Sequence, residues 1–459
     1  MEMTRKQNSR VSSDDFRKFL KDLEETGELV KIKRTVSSKF ELAAVGSKFE
    51  GKQAVLFEKV EGSNMSVACN VLGTRNRFCR AIGVNDEKQI HARITSSISK
   101  ISSPQKTSGQ AAFHDNHSYD LMDLPIITHF EKDAGPYITS SVVFAKDPVS
   151  GNQNSSTHRL LRLDANHMAI RMVEGRHLHR CFSFAKEHNE DLRVAIAIGL
   201  HPAISIAAAY QAAYGVDEME IANSLLDGRL TLCKGDYTQL FVPAHAEIVL
   251  EGRILKDTSH EEWMVEMLRT YDFKRKQPVF ELHKLWFRNN AVFHDILPGY
   301  TEHRLLMGLP VEAKMFEAVK NVVPNTQAVR LTEGGSNWLS AVIQIRKNLE
   351  GEPKNALIAA FASHPSLKMA TVVDEDIDLT NPASVEYAIS TRCQADKGVM
   401  IITNAKGSSL DPSSDQINLV TTKVGIDATA TLLKSKERFQ IAKIPGSDDI
   451  DISDYIDEK

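Results

Sequence analysis

Cysteine is scarce in this chain of 459 residues, and the five cysteines are widely separated, with no Cys-x-x-Cys pair. A disulfide framework or a thiolate zinc site needs paired or clustered cysteines, so the spacing favours neither. The first eight residues are polar and lack the apolar segment of a signal peptide. Both absences favour a protein of the reducing cytoplasm.

An excess of positive charge is also absent. Lys and Arg number 56 against 60 Asp and Glu, which gives a formal net charge of −4 at pH 7. Such a balance provides no general attraction for nucleic acid or for anionic membranes, so we expect no nucleic-acid partner. The apolar fraction of 42% is typical of globular proteins, and the length suffices for two or three domains.

Long apolar stretches are limited to residues 194–215, about the length of a membrane span. His201 and Pro202 interrupt this stretch near its middle. The pattern therefore favours a buried strand over 194–199 and an Ala-rich helix over 203–214. We expect no integral membrane segment.

Several common catalytic motifs are missing. The chain has no G-x-x-x-x-G-K-[ST] phosphate loop and no G-x-S-x-G nucleophile elbow. The glycine pair Gly334-Gly335 precedes Ser336-Asn337, and this combination indicates a turn. Nucleotide hydrolysis on a P-loop and serine hydrolase chemistry are therefore not indicated.

The periodicity predicts an α/β (α+β) protein. A first helix is expected after an N-cap at Ser13, ending at Gly27, and a strand over 29–33. Short β-rich runs alternate with turn signals over 126–300, which predicts an antiparallel barrel or sheet. Beyond 305, expected strands at 357–361 and 399–403 alternate with a helix at 311–322, which favours an α/β layer.

These patterns predict three domains and a tail. The boundaries are an N-terminal α/β region at 1–115, a central β domain at 116–305, a C-terminal α/β domain at 306–445 and an acidic tail at 446–459. The tail is expected to be solvated because it is rich in acidic residues, namely Asp448, Asp449, Asp451, Asp454, Asp457 and Glu458.

Two groups of residues carry chemistry. Asn154, His177 and Asp236 offer an amide oxygen, an imidazole nitrogen and a carboxylate, a mixed set that suits Mn²⁺ or Mg²⁺. The alternative is a turn residue, a core histidine and a loop acid. Glu261 and Glu266 form a second group, which a helix beginning near Ser259 would simply display to solvent.

The order of these motifs resembles the UbiD family of decarboxylases, which use prenylated FMN. The resemblance spans roughly residues 14–432, where later segments around Asp374, Ser408 and Lys423 also match. Its central motifs are Asn154 and Arg159, Gly175-Arg176-His177, Asp236 before Leu240-Phe241-Val242-Pro243-Ala244, Glu251-Gly252, and Glu261 with Glu266.

The resemblance implies a split β-barrel that holds the flavin and a C-terminal domain that carries oligomer contacts. It implies a metal site of Asn154, His177 and Asp236, in which Mn²⁺ or Mg²⁺, with K⁺ as a further candidate, bridges to the flavin phosphate. The implied cofactor-binding residues are Asn154, Ser156, Thr157, His158, Arg159, Arg176, His177 and Lys368. The implied catalytic set is Arg159, Glu261 and Glu266, with Glu266 as proton donor.

Two departures from the family pattern bear on the site. Asp236 stands where the family usually has Glu, and Glu262-Trp263-Met264-Val265 replaces the usual Gly-Pro-Phe-Gly. The region after Glu262 is more similar to the archaeal branch, which implies decarboxylation of trans-anhydromevalonate 5-phosphate to isopentenyl phosphate in an archaeal-type mevalonate pathway.

Two alternatives stay open. One is decarboxylation of 4-hydroxy-3-polyprenylbenzoate or another aromatic acid, and the other is a non-catalytic flavin-binding protein. The resemblance further implies a homo-oligomer, either a dimer or a hexamer. It also implies a separate flavin prenyltransferase as the supplier of the cofactor, since no segment of this chain suggests prenyl transfer.

Overall fold

The computed structural model of the protein describes residues 13–442 and 444–455. In chain order, its α-helices are α1 (Phe16–Glu25), α2 (Glu41–Ser47), α3 (Arg75–Ala81), α4 (Ile90–Ser99), α5 (His177–Glu187), α6 (Pro202–Ala209), α7 (Glu218–Leu225), α8 (Thr301–Val322), α9 (Glu352–Ser363), α10 (Pro382–Arg392) and α11 (Ala395–Gly398). Short 3₁₀ segments lie at Glu87–Gln89, Ala112–Asp115, Leu121–Asp123, Lys436–Phe439, Ser447–Asp449 and Ile452–Tyr455. Asp457 and Glu458 of the acidic tail lie outside the described residues.

The strands of the described residues form four sheets. In chain order they are β1 (Leu29–Ile32), β2 (Ala54–Phe57), β3 (Ser66–Cys69), β4 (Gln105–Thr107), β5 (Asn116–Ser118), β6 (Tyr137–Lys146), β7 (Gln153–Arg162), β8 (His167–Ile170), β9 (Leu192–Ile198), β10 (Thr231–Lys234), β11 (Phe241–Pro243), β12 (Ile248–Glu262), β13 (Arg275–Phe287), β14 (Val292–Asp295), β15 (Thr326–Leu331), β16 (Ser340–Ile345), β17 (Met369–Asp374), β18 (Val399–Lys406) and β19 (Val420–Ala428).

The N-terminal region is an α/β layer. Its sheet has the order β1-β2-β3-β14, so the last strand comes from the far end of the central segment. Helix α1 buries Phe16, Phe19 and Leu23, as its apolar spacing predicts. The N-cap is Asp15, two residues later than the expected Ser13. Its carboxylate accepts a hydrogen bond from the Arg17 N–H at 2.8 Å.

A closed antiparallel barrel forms the centre of the molecule. Six strands follow the order β12-β9-β6-β7-β8-β13, and β12 pairs with β13 to close the circle. The expected split barrel is thereby confirmed. The apolar run that begins at residue 194 forms β9 and the buried helix α6, with His201 and Pro202 at the start of that helix. Among the described residues, no helix is long and apolar enough to cross a membrane.

The C-terminal domain is a five-stranded mixed sheet with the order β15-β16-β17-β19-β18 and with α8 and α9 packed against each other beside it. The expected strand at 357–361 is wrong, because these residues belong to α9. Pro353 lies in the first turn of this helix, and Ala356, Leu357 and Ala360 are buried at helical spacing. A short apolar run does not by itself distinguish a buried strand from a buried helix.

A buried carboxylate joins the first and last domains. Glu312 lies on α8 with 1% of its surface exposed and pairs with Arg75 of α3. Oε2 of Glu312 lies 3.3 Å from Nε2 of His91 on α4, and Oε1 also accepts a hydrogen bond from the Leu331 N–H at 2.8 Å. The long helix α8 is thus tied to both the N-terminal region and the C-terminal sheet.

Candidate active site

A row of polar side chains lies along β7 in the barrel. The hydroxyl of Ser156 lies 2.9 Å from Nε2 of His158 and 3.3 Å from Oδ1 of Asn154. Nδ1 of His158 lies 2.8 Å from the carbonyl oxygen of Arg171, to which it donates. Burial lowers the pKa of His158 to about 4, so the ring is neutral near pH 7 and Nε2 accepts the single Ser156 proton. Oδ1 of Asn154 therefore keeps both lone pairs for another partner.

Three potential metal ligands converge at the start of β7. The Asn154 amide nitrogen lies 3.3 Å from Nδ1 of His177 and 3.1 Å from Oε1 of Glu218. Nδ1 of His177 and Oε1 of Glu218 are 3.7 Å apart. Glu218 is the first residue of α7 and also accepts a hydrogen bond from the Ser155 N–H at 2.8 Å. Rotation of the Asn154 amide would turn its oxygen toward the other two ligands.

Asp236 is not part of this group. It lies exposed in the turn between β10 and β11, where the described residues form no hydrogen bond or ion pair between its carboxylate and Asn154 or His177. The structure instead brings Glu218 to that position. The sequence gives only a weak indication of this role for Glu218. Asp217 and Glu218 stand at the start of a helix, where acidic residues are ordinary N-terminal capping residues.

A second cluster surrounds Arg159. The guanidinium donates from Nε and Nη2 to the two carboxylate oxygens of Glu262, at 3.1 and 2.8 Å. It also donates from Nη2 to Asp272 at 3.2 Å and from Nη1 to Glu266. Burial alone would lower the pKa of Arg159, but the carboxylates of Glu266 and Glu262 outweigh this effect and hold the pKa above its ordinary value. Arg159 therefore stays positively charged and forms ion pairs with three acids.

The structure brings Glu262, rather than Glu261, to this cluster. Residues 248–262 form the strand β12 and not a helix from Ser259, so adjacent side chains point to opposite faces. Glu261 is exposed opposite Lys276, whereas Glu262 is 1% exposed opposite Arg275. Glu262 also receives the hydroxyl hydrogen bond of Tyr137 at 3.1 Å. Burial and the Glu262 charge raise the pKa of Tyr137, so this phenol remains a donor.

A β-bulge lies directly across from Arg159. In the pairing of β6 with β7 the register shifts between Ile138 and Ser141, so that two residues of β6 face one residue of β7. The hydroxyl of Thr139 donates to Asp295 at 3.0 Å, and Asp295 also contacts the ring of His129 at 2.9 Å. These contacts fix the backbone opposite the arginine.

The remaining predicted residues are more dispersed. Thr157 lies on β7 opposite Val142, and Arg176 is the N-cap of α5, where burial lowers its pKa. Lys368 lies in the C-terminal domain, pairs with Asp411 at 2.7 Å and contacts Ser413. Within the described residues, Lys368 forms no bond with the Asn154 and His177 group.

The donor set fits a divalent cation and an elongated anionic cofactor. Amide, imidazole and carboxylate ligands suit Mn²⁺ or Mg²⁺. The buried hydroxyl of Ser155 has no hydrogen-bond partner among the described residues, and Ser156 through Arg159 are partly exposed in the middle of β7. Arg159 is five steps along the strand from Asn154, about 16 Å at the usual rise. A ligand with its phosphate near His177 could reach Arg159 with its other end.

Three family models match the chain in sequence. They are the N-terminal domain of 3-octaprenyl-4-hydroxybenzoate carboxy-lyase over residues 20–95, its Rift-related domain over 100–301 and its C-terminal domain over 304–428. The barrel with both residue groups falls in the second of these models.

Curated relatives cover most of this chain. Anhydromevalonate phosphate decarboxylase of Methanothermobacter thermautotrophicus is 40% identical over 93% of this chain and 99% of its own. The protein of the same name from Methanocaldococcus jannaschii is 48% identical over 71% of this chain and 76% of its own.

A solved structure shares the fold. The UbiD-class enzyme HmfF from Pelotomaculum thermopropionicum, in complex with FMN, superimposes with a TM-score of 0.93 at 38% identity, over 96% of this chain and 100% of that one. An evolved dimeric form of HmfF in complex with prFMN gives a TM-score of 0.90 at 36% identity, over 97% and 100% of the two chains. These similarities identify a carboxy-lyase. The chain belongs to the UbiD family of prFMN-dependent decarboxylases.

Proposed function

We propose that this protein decarboxylates trans-anhydromevalonate 5-phosphate to isopentenyl phosphate with prenylated FMN as cofactor. The observation that carries the proposal is the Arg159 cluster. Four of the five N–H groups of Arg159 are bonded to Glu262, Asp272 and Glu266, and the fifth, on Nη1 beside Glu266, is available for a substrate carboxylate. Relatives that cover most of this chain and are named anhydromevalonate phosphate decarboxylase support the choice of substrate.

The charge balance of the cluster supports a decarboxylation. Three guanidiniums face three carboxylates, and the groups are Arg159, Arg171, Arg275, Glu262, Glu266 and Asp272. A substrate carboxylate adds one negative charge, which a proton on Glu266 offsets. Loss of CO₂ leaves a carbon that must gain one proton, and Glu266 is the acid that shares Nη1 of Arg159 with the substrate. After this transfer the cluster returns to its starting charge.

We assign the cofactor-binding roles as follows. Asn154, His177 and Glu218 would hold Mn²⁺ or Mg²⁺ against the flavin phosphate, with Arg176 and Lys368 as further cationic contacts. Ser156, Thr157 and His158 would line the rest of the ligand along β7. When bound, prenylated FMN supplies the electron-accepting ring that makes CO₂ loss feasible. In the described structure Lys368 is paired with Asp411, so its role requires that it leave that partner.

The rim of the cluster favours a phosphorylated substrate over a polyprenylated one. Cationic side chains stack on aromatic rings along the 263–275 segment and its neighbours, with charge-to-centroid distances between 3.9 and 5.9 Å. The pairs are Lys132 with Tyr271, Lys274 with Trp263, and Arg269 with Tyr300. Such a rim of cationic side chains attracts a small anion.

A reconstitution assay tests the proposal. The chain would be co-expressed with a flavin prenyltransferase, purified without oxygen and supplied with trans-anhydromevalonate 5-phosphate or 4-hydroxybenzoate. We expect bound prenylated FMN by mass spectrometry, with CO₂ and isopentenyl phosphate from the first acid alone. Release of CO₂ from the aromatic acid alone would show that the substrate is an aromatic acid instead. A stable flavin complex that releases CO₂ from neither acid would favour a non-catalytic binding protein.

We further propose a homo-oligomer. Strand β18 lies at the edge of the C-terminal sheet and leaves Ile401 64% exposed, and an exposed strand edge with apolar side chains favours pairing with another chain. Light scattering after gel filtration would measure the mass, and a monomer at micromolar concentration would contradict this part of the proposal.

A further inference from the structure

Asp272 contacts the catalytic arginine through Nη2, whereas Glu266 contacts it through Nη1. Oδ2 of Asp272 accepts a hydrogen bond from Nη2 of Arg159 at 3.2 Å. Glu262 occupies Nε and the other hydrogen of Nη2. Together these two acids take all three hydrogens of Nε and Nη2, while Glu266 takes one of the two hydrogens of Nη1.

Asp272 is itself held in place from three directions. Its Oδ1 pairs with Nη1 of Arg275 and accepts the Phe273 N–H at 2.8 Å, and its own N–H donates to the Met264 carbonyl at 2.9 Å. The side chain is 3% exposed. Burial raises the pKa of Asp272, but Arg275 and Arg159 outweigh this effect and the net pKa is lowered, so the group is ionised near pH 7.

These contacts close a ring. Glu262 and Arg275 are partners in the ladder between β12 and β13, Arg275 pairs with Asp272, and both acids bond to Arg159. Three links of the ring are ion pairs between a guanidinium and a carboxylate, and the fourth is the backbone pairing of Glu262 with Arg275. A buried ring of this kind limits each member to one geometry, because any rotation breaks a charge-assisted hydrogen bond.

We propose that Asp272 is a positioning residue, which fixes the guanidinium of Arg159 so that only the remaining Nη1 hydrogen is offered to the substrate carboxylate. The inference rests on the proposed decarboxylation at Arg159 but not on the identity of the acid. Without Asp272, the freed Nη2 hydrogen offers the carboxylate a second, unproductive mode. The substrate would still bind, but fewer complexes would have the leaving group and Glu266 aligned, so kcat falls while KM changes little.

Kinetics of variants test the proposal, with whichever acid the wild-type holoenzyme decarboxylates. For Asp272→Asn we expect kcat to fall between about tenfold and a hundredfold, and KM to change less than about threefold. Asp272→Glu should recover part of the loss because it restores the charge. Glu281→Gln is the matched control: it removes an ion pair of β13 with Arg253 that lies on the surface, and kcat should stay at the wild-type value.

The proposal is overturned if Asp272→Asn keeps the wild-type kcat, if its loss lies in KM, or if Asp272→Glu is no better than Asp272→Asn. Arg275→Gln covers a failure of the first variant to fold, since it frees Asp272 and should lower kcat in the same direction. A crystal structure of Asp272→Asn gives a readout without activity: a second guanidinium conformer at Arg159 supports the proposal and one unchanged conformer contradicts it. A wild-type chain that releases CO₂ from no acid would instead reject the proposed function.

Discussion

Glu262 stands one residue after Glu261 on β12, and this single step turns its carboxylate from solvent to the guanidinium of Arg159 at 2.8 Å. In a strand the side chains of neighbouring residues point to opposite faces. The pair therefore provides a built-in comparison between a buried acid and an exposed one of the same chemistry.

The first prediction uses this pair. Glu262→Gln should lower kcat/KM at least about a hundredfold, because it removes a buried partner of Arg159 and leaves that charge poorly compensated. Glu261→Gln should leave kcat/KM within about twofold, as expected for an exposed acid. Steady-state decarboxylation assays on both variants measure this. A large loss of kcat/KM in Glu261→Gln, with a near wild-type value in Glu262→Gln, would show that Glu261 and not Glu262 is the partner of Arg159.

The second prediction concerns the metal. Glu218→Gln should lose bound Mn²⁺ and weaken FMN binding by at least about tenfold, because the carboxylate supplies the negative charge of the ligand set. Asp236→Asn should retain metal and flavin. Metal content by mass spectrometry and flavin titration on purified protein decide between the two acids. Metal loss in Asp236→Asn alone would show that Asp236 moves to the site when the cofactor is bound.

The third prediction concerns pH. The pKa of His158 is lowered by burial to about 4, below the ordinary value of 6.5. Between these values the unfolded chain binds a proton that the folded chain does not, so the free energy of unfolding decreases as pH falls from about 6.5 to 4. We expect this group to account for about 2 kcal/mol at pH 4.5. Urea titrations at pH 7 and 4.5 should show a smaller decrease in His158→Gln, and equal decreases would refute the assignment.

The fourth prediction concerns the link between domains. Glu312→Gln should lower the free energy of unfolding by about 3 kcal/mol, because it leaves the guanidinium of Arg75 buried without its carboxylate. Glu317→Gln on the same helix is partly exposed and should have an effect within about 0.5 kcal/mol. Chemical denaturation of both variants measures the difference. Equal stabilities would mean that Arg75 finds another partner.

Much of the fold could be predicted from the sequence. Apolar spacing located α1, and the break at His201 and Pro202 separated β9 from α6. The β-rich runs over 126–300 indicated the barrel, although closure through the pairing of β12 with β13 is a tertiary property. The helix over residues 352–363 was mistaken for a strand because five apolar residues in a row satisfy both patterns.

The site was harder to predict because its members meet only in the folded chain. Glu218 is 64 residues from Asn154 in sequence, and its cap position gives no hint of a ligand. Alternation counted from the buried Ile254 would have favoured Glu262, but the register shift between Leu255 and Ser259 makes such counting unsafe. Asp272 belongs to no recognisable sequence motif, and the ring that it forms with Arg275 depends on how the loop before β13 folds.

The most direct test of the account is single-turnover CO₂ release by the Glu266→Gln holoenzyme from trans-anhydromevalonate 5-phosphate, beside the wild type and Glu261→Gln. We expect wild type and Glu261→Gln to form isopentenyl phosphate at similar rates. Glu266→Gln should bind prenylated FMN normally but form product at least about a hundredfold more slowly, because the carbon left by CO₂ lacks its proton donor. Product formation at the wild-type rate in Glu266→Gln would contradict the proposed site.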